Sequence, residues 1–433
     1  MWSPEYESMS RQRLEDLQLK RLKATVERVY QHVPFYREKM KKQGIKPEDL
    51  QSLSDLKYFP FTTKDDLREN YPFGLFAVGM DDVVRIHASS GTTGRMTVVG
   101  YTKNDINIWS EVMARSISSA GGGPRDRIQV SYGYGLFTGG LGVHYGAELL
   151  GAMVVPVSGG NTKRQIQVMQ DFGITILACT PSYALYMAET AAEMGVDLRT
   201  LPLKIGIFGA EPWGQGMRAE IERKLGIDAI DIYGLTEVMG PGVACECIET
   251  KDGPVIWEDH FYPEIIDPET GEVLPDGQDG ELVFTSLTKE AFPVIRYRTR
   301  DLTRLLPPTS RSFRRFDKIT GRSDDMLIVR GVNVFPTQIE EQIMRDPRLT
   351  GNYQIVLSRD GHLDNVEVRC EVQRELSGKL SRAALEEVSR TLQHHIKTII
   401  GISTKIKVMD FDTIPRTQTG KARRVIDERP KQL

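Results

Sequence analysis

Arg127-Ile128-Gln129-Val130-Ser131, Met153-Val154-Val155-Pro156-Val157, Ile174-Thr175-Ile176-Leu177-Ala178 and Leu203-Lys204-Ile205-Gly206-Ile207-Phe208 are short apolar runs spaced along one stretch of the chain. Segments of helical periodicity separate them, as over residues 165–172 and 181–194. Strand and helix in alternation predict a parallel sheet covered by helices on both faces, because each crossover must return along one face of the sheet. Ligands on such sheets sit beyond the carboxyl ends of the strands. Gly209-Ala210-Glu211 and Tyr233-Gly234-Leu235-Thr236-Glu237 fall at those ends.

Outward from this stretch the pattern changes. Residues 10–32 alternate Leu, Val and Tyr with Arg, Lys and Glu at helical spacing and stop before Pro34, which predicts an amphipathic helix whose charges form a solvated face. After Asp259 the signals are those of hairpins: Asp267-Pro268-Glu269-Thr270-Gly271 and Pro275-Asp276-Gly277 as turns, Gly280-Glu281-Leu282-Val283-Phe284 as a strand. A boundary is expected at Asp324, dividing the chain into a larger part, 1–323, and a small α+β domain, 324–433. The expected fold class is α/β: helix-covered sheets with a small β-subdomain, followed by a small mobile carboxyl-terminal domain.

A chain of 433 residues has room for two or three domains with proper cores. Its net charge of -3 gives no general attraction to nucleic acid or to an anionic membrane, so an anionic small ligand must be met by local groups. Met1-Trp2-Ser3-Pro4-Glu5 leads into charged residues and no apolar run approaches spanning length, which makes the cytoplasm the expected compartment. The four cysteines, 179, 245, 247 and 370, are too few and too irregular for a disulfide framework.

One short loop carries the first chemical signal. Ser89-Ser90-Gly91-Thr92-Thr93-Gly94 combines hydroxyls with glycines, so that amide N–H groups and side chains can turn together onto a phosphate. Its flanks, Val83-Val84-Arg85-Ile86-His87 and Met96-Thr97-Val98-Val99-Gly100-Tyr101, read as strands, whereas a Walker loop or a dinucleotide fingerprint opens into a helix. The loop also lacks an adjacent lysine, so a catalytic cation must come from elsewhere. Taken alone, the same composition also describes a solvated turn.

Further motifs follow in order: Asp231-Ile232-Tyr233-Gly234-Leu235-Thr236-Glu237, Tyr297-Arg298-Thr299-Arg300-Asp301, Gly321-Arg322, Arg330-Gly331-Val332-Asn333 and Pro415-Arg416-Thr417-Gln418-Thr419-Gly420-Lys421. With the loop they resemble the adenylate-forming superfamily of acyl-CoA synthetases, adenylation domains and luciferases. Glu258-Asp259-His260-Phe261 and the stretch from Val294 to Asp301 are similar to the phenylacetate-CoA ligase branch. The resemblance implies attack of a carboxylate on the α-phosphorus of ATP, an encounter of two anions that needs alignment and charge neutralisation. Ser89 to Gly94 would then cover the β- and γ-phosphates, Glu237 would ligate Mg²⁺ and Thr236 would position the α-phosphate. Ala210, Glu211, Pro212, Asp231, Tyr233 and Gly234 would surround adenine, with Asp231 standing where the superfamily often has Asn. Asp301 would accept the ribose hydroxyls beside the donor fork of Arg322, although the two residues by themselves also read as an ion pair.

Lys421 is the implied catalytic cation. Because it lies in the small domain and Glu237 in the large part, closure across the boundary is implied, with Asp324 as hinge. The resemblance implies that the small domain then rotates, bringing Arg330, Gly331, Val332 and Asn333 to CoA. Tyr132, Tyr134, Phe137, Gly209 and Ile232 would form the acyl pocket, against the plainer reading of core aromatics. The sequence departs from the phenylacetate-CoA ligase branch at Met96, where Pro is usual, and shares with that branch Arg300 in place of the glycine of the general superfamily motif.

Cys245, Cys247 and His260 also offer three ligands of a structural zinc site, against the alternative of small buried cysteines. The function implied is an aryl carboxylate–CoA ligase forming AMP and pyrophosphate, expected as a homodimer. The alternatives are an adenylating protein that loads a carrier phosphopantetheine, and a nucleotide-binding module without turnover.

Overall fold

The computed structural model describes residues 1–89, 96–323, 327–329, 332–360, 363–415 and 423–429. Two antiparallel strands, β1 (Arg85–Ser89) and β2 (Thr97–Tyr101), pair Ser89 with Thr97 at the ends nearest the loop between them. The apolar runs become β3 (Arg127–Val130), β4 (Met153–Val155), β5 (Ile176–Cys179) and β6 (Ile205–Gly209), joined by β7 (Asp228–Leu235). These lie parallel in the order β4, β3, β5, β6, β7. Helices Gly139–Leu150, Thr162–Phe172, Pro181–Glu193 and Gln215–Leu225 form the crossovers.

The sheet continues beyond the parallel part that the sequence predicts. β8 (Gly240–Cys245) pairs antiparallel with β7, β9 (Val255–Ile256) with β8, and Arg315–Phe316 and Leu305–Leu306 complete nine strands. Only residues 236–239 separate β7 from β8, too few for a crossover helix, so the chain reverses directly and the pairing is antiparallel. A five-stranded antiparallel sheet built on Phe261–Ile266, Gly280–Ser286 and Tyr297–Thr303 adjoins it, ending on Gly321–Arg322.

Helix Arg11–His32 starts at Ser10, whose side chain accepts from the Arg13 N–H. Leu14, Leu22, Val26 and Val29 form its fully buried stripe at helical spacing. Its charges are not simply solvated. Arg11 Nη1 lies 3.1 Å from Glu258 and Arg21 Nη1 3.8 Å from Asp259, while Gln18 donates to the Glu258 carbonyl at 2.8 Å. The helix face that periodicity marks as polar is covered by acidic residues more than two hundred positions away.

The small α+β part has its own core. Strands Leu349–Asp360 and Leu363–Val372 form an antiparallel pair flanked by Lys405–Met409 and Val425–Asp427, each parallel to its neighbour. Helix Arg382–Ile400 turns Val388, Leu392 and Ile396 into a core shared with Ile355 and Val368. No helix among the described residues is long and apolar enough to cross a membrane.

Candidate active site

The carboxyl ends of β3, β6 and β7 bring five sequence-predicted residues together. β6 ends at Gly209, opposite Ile232 of β7. The Tyr132 phenol, just past β3, reaches the Gly209 backbone, and burial pushes its pKa well up. The rings of Tyr132 and Phe137 flank the Gly139 backbone. Tyr132 is 6% exposed and Ile232 4%, but Phe137 is 41% exposed. Phe137 is therefore no core aromatic, whereas Tyr132 and Ile232 belong to the hydrophobic core. Tyr134 stands at the rim, its hydroxyl 3.2 Å from His144 Nδ1, and His144 Nε2 is 3.1 Å from Glu148.

Backbone conformation marks the same edge. Ala210 takes φ 70°, a left-handed angle that residues with a Cβ rarely adopt. Its neighbour Glu211 accepts from the Ser182 N–H at 2.7 Å and from the Ser182 hydroxyl. Gly234 lies at an irregularity of the β7–β8 pairing, and a Cβ there would meet the Gly240 carbonyl oxygen at 1.9 Å. No other residue fits. Arg300 also takes φ 70°, which accounts for the glycine that the general superfamily motif carries there.

Pairing of Asp301 with Arg322 between strands Tyr297–Thr303 and Gly321–Arg322 sets the two side chains side by side. Arg322 Nη1 lies 3.2 Å from Asp301 Oδ1, and the Tyr233 hydroxyl donates to Oδ2 at 2.6 Å. Three residues named from three separate motifs thus form one polar cluster, and the ion-pair reading of Asp301 and Arg322 describes their geometry. Thr236 is buried with its Oγ1 3.2 Å from Thr138 Oγ1. Glu237 is 6% exposed, and no donor among the described residues bonds its carboxylate. A carboxylate that no described donor engages leaves its oxygens available to a divalent cation, which favours hard oxygen ligands. Ser89 Oγ and Thr97 Oγ1 are likewise buried without a partner among the described residues, at the base of the loop.

Asp231 is half-buried on β7 between Trp213, whose Nε1 donates to it at 3.0 Å, and Glu246, which accepts the Asp231 N–H at 2.9 Å and is held by Arg218 at 2.8 Å. Burial, and next the Glu246 carboxylate, push Asp231 up to about 7. A carboxyl raised in the folded state stabilises it fully below the ordinary carboxylate range, and that contribution is lost as pH rises toward 7. Asp231→Asn is accordingly expected to raise the melting temperature, by more at pH 8 than at pH 5; a gain independent of pH would show that the carboxyl is ionised throughout.

Lys289 is a site feature that the sequence did not announce. It is 2% exposed, with Nζ 3.5 Å from the centroid of the Tyr101 ring and 3.9 Å from Met239 Sδ, and burial pushes it down to about 7. Thr288-Lys289-Glu290 looks like a solvated turn in sequence, and only the packing of Tyr101 over it reveals otherwise. Trp213 and Thr138 were equally invisible, because each acts on a residue far away in the chain.

The zinc expectation is not met. Among the described residues no three His, Cys, Asp or Glu side chains are grouped to hold a metal ion. Cys245 Sγ faces the Ser116 carbonyl at 3.5 Å, and Cys247 points toward Ser310 and Ser119. His260 turns its Nδ1 to Thr288 at 2.8 Å and its Nε2 to Glu111 and Asp259 at 3.2 Å. The imidazole is taken up by carboxylates, and the cysteines are the small buried side chains of the alternative reading. Ser90, Gly91, Thr92, Thr93, Gly94, Asp324, Arg330, Gly331 and Lys421 lie outside the described residues. Val332 and Asn333 are on strand Val332–Val334, with only the backbone of Asn333 described.

Comparison with known proteins agrees with this geometry. A family model described as AMP-binding enzyme matches residues 11–288, and one described as AMP-binding enzyme C-terminal domain matches residues 331–429. The chain belongs to the AMP-binding enzyme family. It is 60% identical to a phenylacetate-coenzyme A ligase of Aromatoleum evansii, over 98% of this chain and 97% of that protein. Identity to the enzyme of the same name from Escherichia coli strain K12 is 57%, over 98% and 97%. A crystal structure of 2-hydroxyisobutyryl-CoA ligase in the postadenylation state is 30% identical and superposes with a TM-score of 0.92, covering 98% of this chain and 92% of its own. The same ligase in the thioesterification state, covered to the same extent, gives 0.73. This AMP-binding enzyme therefore superposes more fully on the first of these structures than on the second.

Proposed function

We propose that this chain is an ATP-dependent aryl-CoA ligase acting on phenylacetate or a close relative, by way of an acyl adenylate. The observation that carries the proposal is the near full-length identity of 57–60% to phenylacetate-coenzyme A ligases. The convergence of the predicted nucleotide and acyl residues at one sheet edge supports it. The aryl ring enters beside Tyr132, Phe137 and Ile232, with Tyr134 at the rim. Adenine lies along Ala210, Glu211, Pro212 and Tyr233 with Asp231 as a polar contact, the ribose hydroxyls meet Asp301, and Arg322 braces them. Thr236 positions the α-phosphate. Glu237 would hold Mg²⁺, whose charge offsets that of the phosphates when it is bound.

Adenylation draws on Lys421, and thioester formation on a rotation about Asp324 that brings the segment 330–333 to CoA. This places the domain boundary between residues 323 and 324. Asp324→Pro should restrict that rotation and depress one half-reaction much more than the other. Pyrophosphate exchange and CoA-dependent consumption of supplied aryl adenylate measure the two halves, and equal loss of both would count against rotation. The assembly proposed is a homodimer in the cytoplasm.

AMP release across aryl and alkyl carboxylates, with CoA present or omitted, tests the activity. Release should be greatest with phenylacetate-like acids and should depend on CoA. Equal turnover of alkyl acids, or turnover that needs a carrier protein in place of CoA, would overturn the reading.

A further inference from the structure

The small domain meets the large one along a seam formed by the helices that follow β5 and β6. Helices Pro181–Glu193 and Gln215–Leu225 face the end of helix Pro336–Ile343 and the segment after strand Leu363–Val372, beside a cleft of about 880 Å³. Along it, Gly216 in the first turn of its helix meets Met344, the residue that caps Pro336–Ile343. A Cβ on residue 216 would stand 2.5 Å from Met344 Cβ and 3.2 Å from its Cγ. Met344 Cβ is fixed to its backbone and no rotamer moves it, so relief requires the two helices to separate by about 1 Å to regain ordinary carbon contact. Farther along the seam Arg374 bonds Glu193, and Gln373 Nε2 donates to Glu220 at 3.4 Å.

We infer that this seam selects the domain arrangement: Gly216 and the Glu193–Arg374 pair are positioning residues that hold the small domain in the placement that accompanies adenylation. The inference rests on the proposed rotation. In that placement Met344 occupies the space that the missing side chain of residue 216 leaves, and the charged pair closes the outer edge. Rotation carries Met344 and Arg374 away together. A side chain at 216 therefore costs energy in one placement and none in the other, and such a difference shifts the equilibrium between them. The charged pair acts in the same direction more weakly, because its side chains are 39% and 44% exposed.

The full chain tests this by half-reactions. Gly216→Val is expected to lower pyrophosphate exchange about tenfold or more, while thioester formation from supplied aryl adenylate and CoA stays at or above the parent rate. Glu193→Arg and Arg374→Glu should each lower exchange by a few-fold, and their combination should recover it. Parent-like exchange in Gly216→Val, or equal loss of both halves, overturns the inference. Should Gly216→Val not fold, the exposed charge exchange decides, and a double variant no better than the singles overturns it. Asp324→Pro measured in parallel separates the two ideas. If it splits the half-reactions and the seam variants do not, the seam fails while rotation stands; if neither splits them, both fail.

Discussion

Lys421→Ala is expected to abolish pyrophosphate exchange with aryl acid while leaving thioester formation from a supplied aryl adenylate largely intact. The reason lies in the charges. In the first half-reaction a carboxylate attacks a phosphorus surrounded by anionic oxygens, so negative charge is concentrated as the transition state forms. A cation placed against that charge lowers the barrier, and removing one such preorganised donor costs about a hundredfold to a thousandfold in rate. The second half-reaction joins a thiol to an already activated carbonyl and expels AMP, so the same cation has little to offset. Loss confined to exchange is the signature, with the supplied-adenylate assay as the internal control for folding. Parent-like exchange in this variant would sink the assignment. The expectation rests on Pro415-Arg416-Thr417-Gln418-Thr419-Gly420-Lys421 as a motif.

Asp259→Ala is expected to be the most destabilising single change among the buried ion pairs. Asp259 is fully enclosed, bidentate to Arg115 at 2.9 and 3.0 Å, close to Arg21 and 3.2 Å from His260. Burial alone would push the carboxyl up, but the charges of His260 and Arg115 hold it below its ordinary range. Its removal leaves Arg115, with a side chain 1% exposed, only Glu111 as a carboxylate partner and strips the buried Nη1 and Nη2 of theirs, a class of change that costs up to about 3–5 kcal/mol. Equilibrium unfolding in urea measures the loss. Stability from this carboxylate is present above the ordinary carboxylate range and is lost as pH falls through it. Replacing both partners by apolar residues, Arg115→Met with Asp259→Leu, should recover most of the loss. If Asp259→Ala unfolds at the parent's urea midpoint, the pair does not stabilise the fold.

The motif Glu258-Asp259-His260-Phe261 shows how a legible pattern can conceal its role. As sequence it marked a branch of the superfamily and offered His260 to a metal. In three dimensions it fastens helix Arg11–His32 and helix Lys103–Ser119 to the large domain, through Arg11, Arg21 and Arg115. The arginines are far from it in sequence, so no local reading could pair them. Lys289 and Asp231 follow the same logic. Each carries an ordinary charged side chain whose protonation is moved by enclosure, and enclosure is a property of the packed chain.

Periodicity and motif order determined a great deal unaided. Apolar runs of strand length alternating with helical stretches specify a parallel sheet wherever they occur, because alternation is a local consequence of backbone geometry. Ordered motifs specified the family and named Tyr233, Asp301 and Arg322 before their contact was visible. Only the tertiary structure decided which charges neutralise one another, how the sheet continues past β7, and that Gly216 packs on Met344. Those outcomes depend on distances between residues far apart in the chain, and Coulomb energy, desolvation and steric contact respond to separation in space, not in sequence.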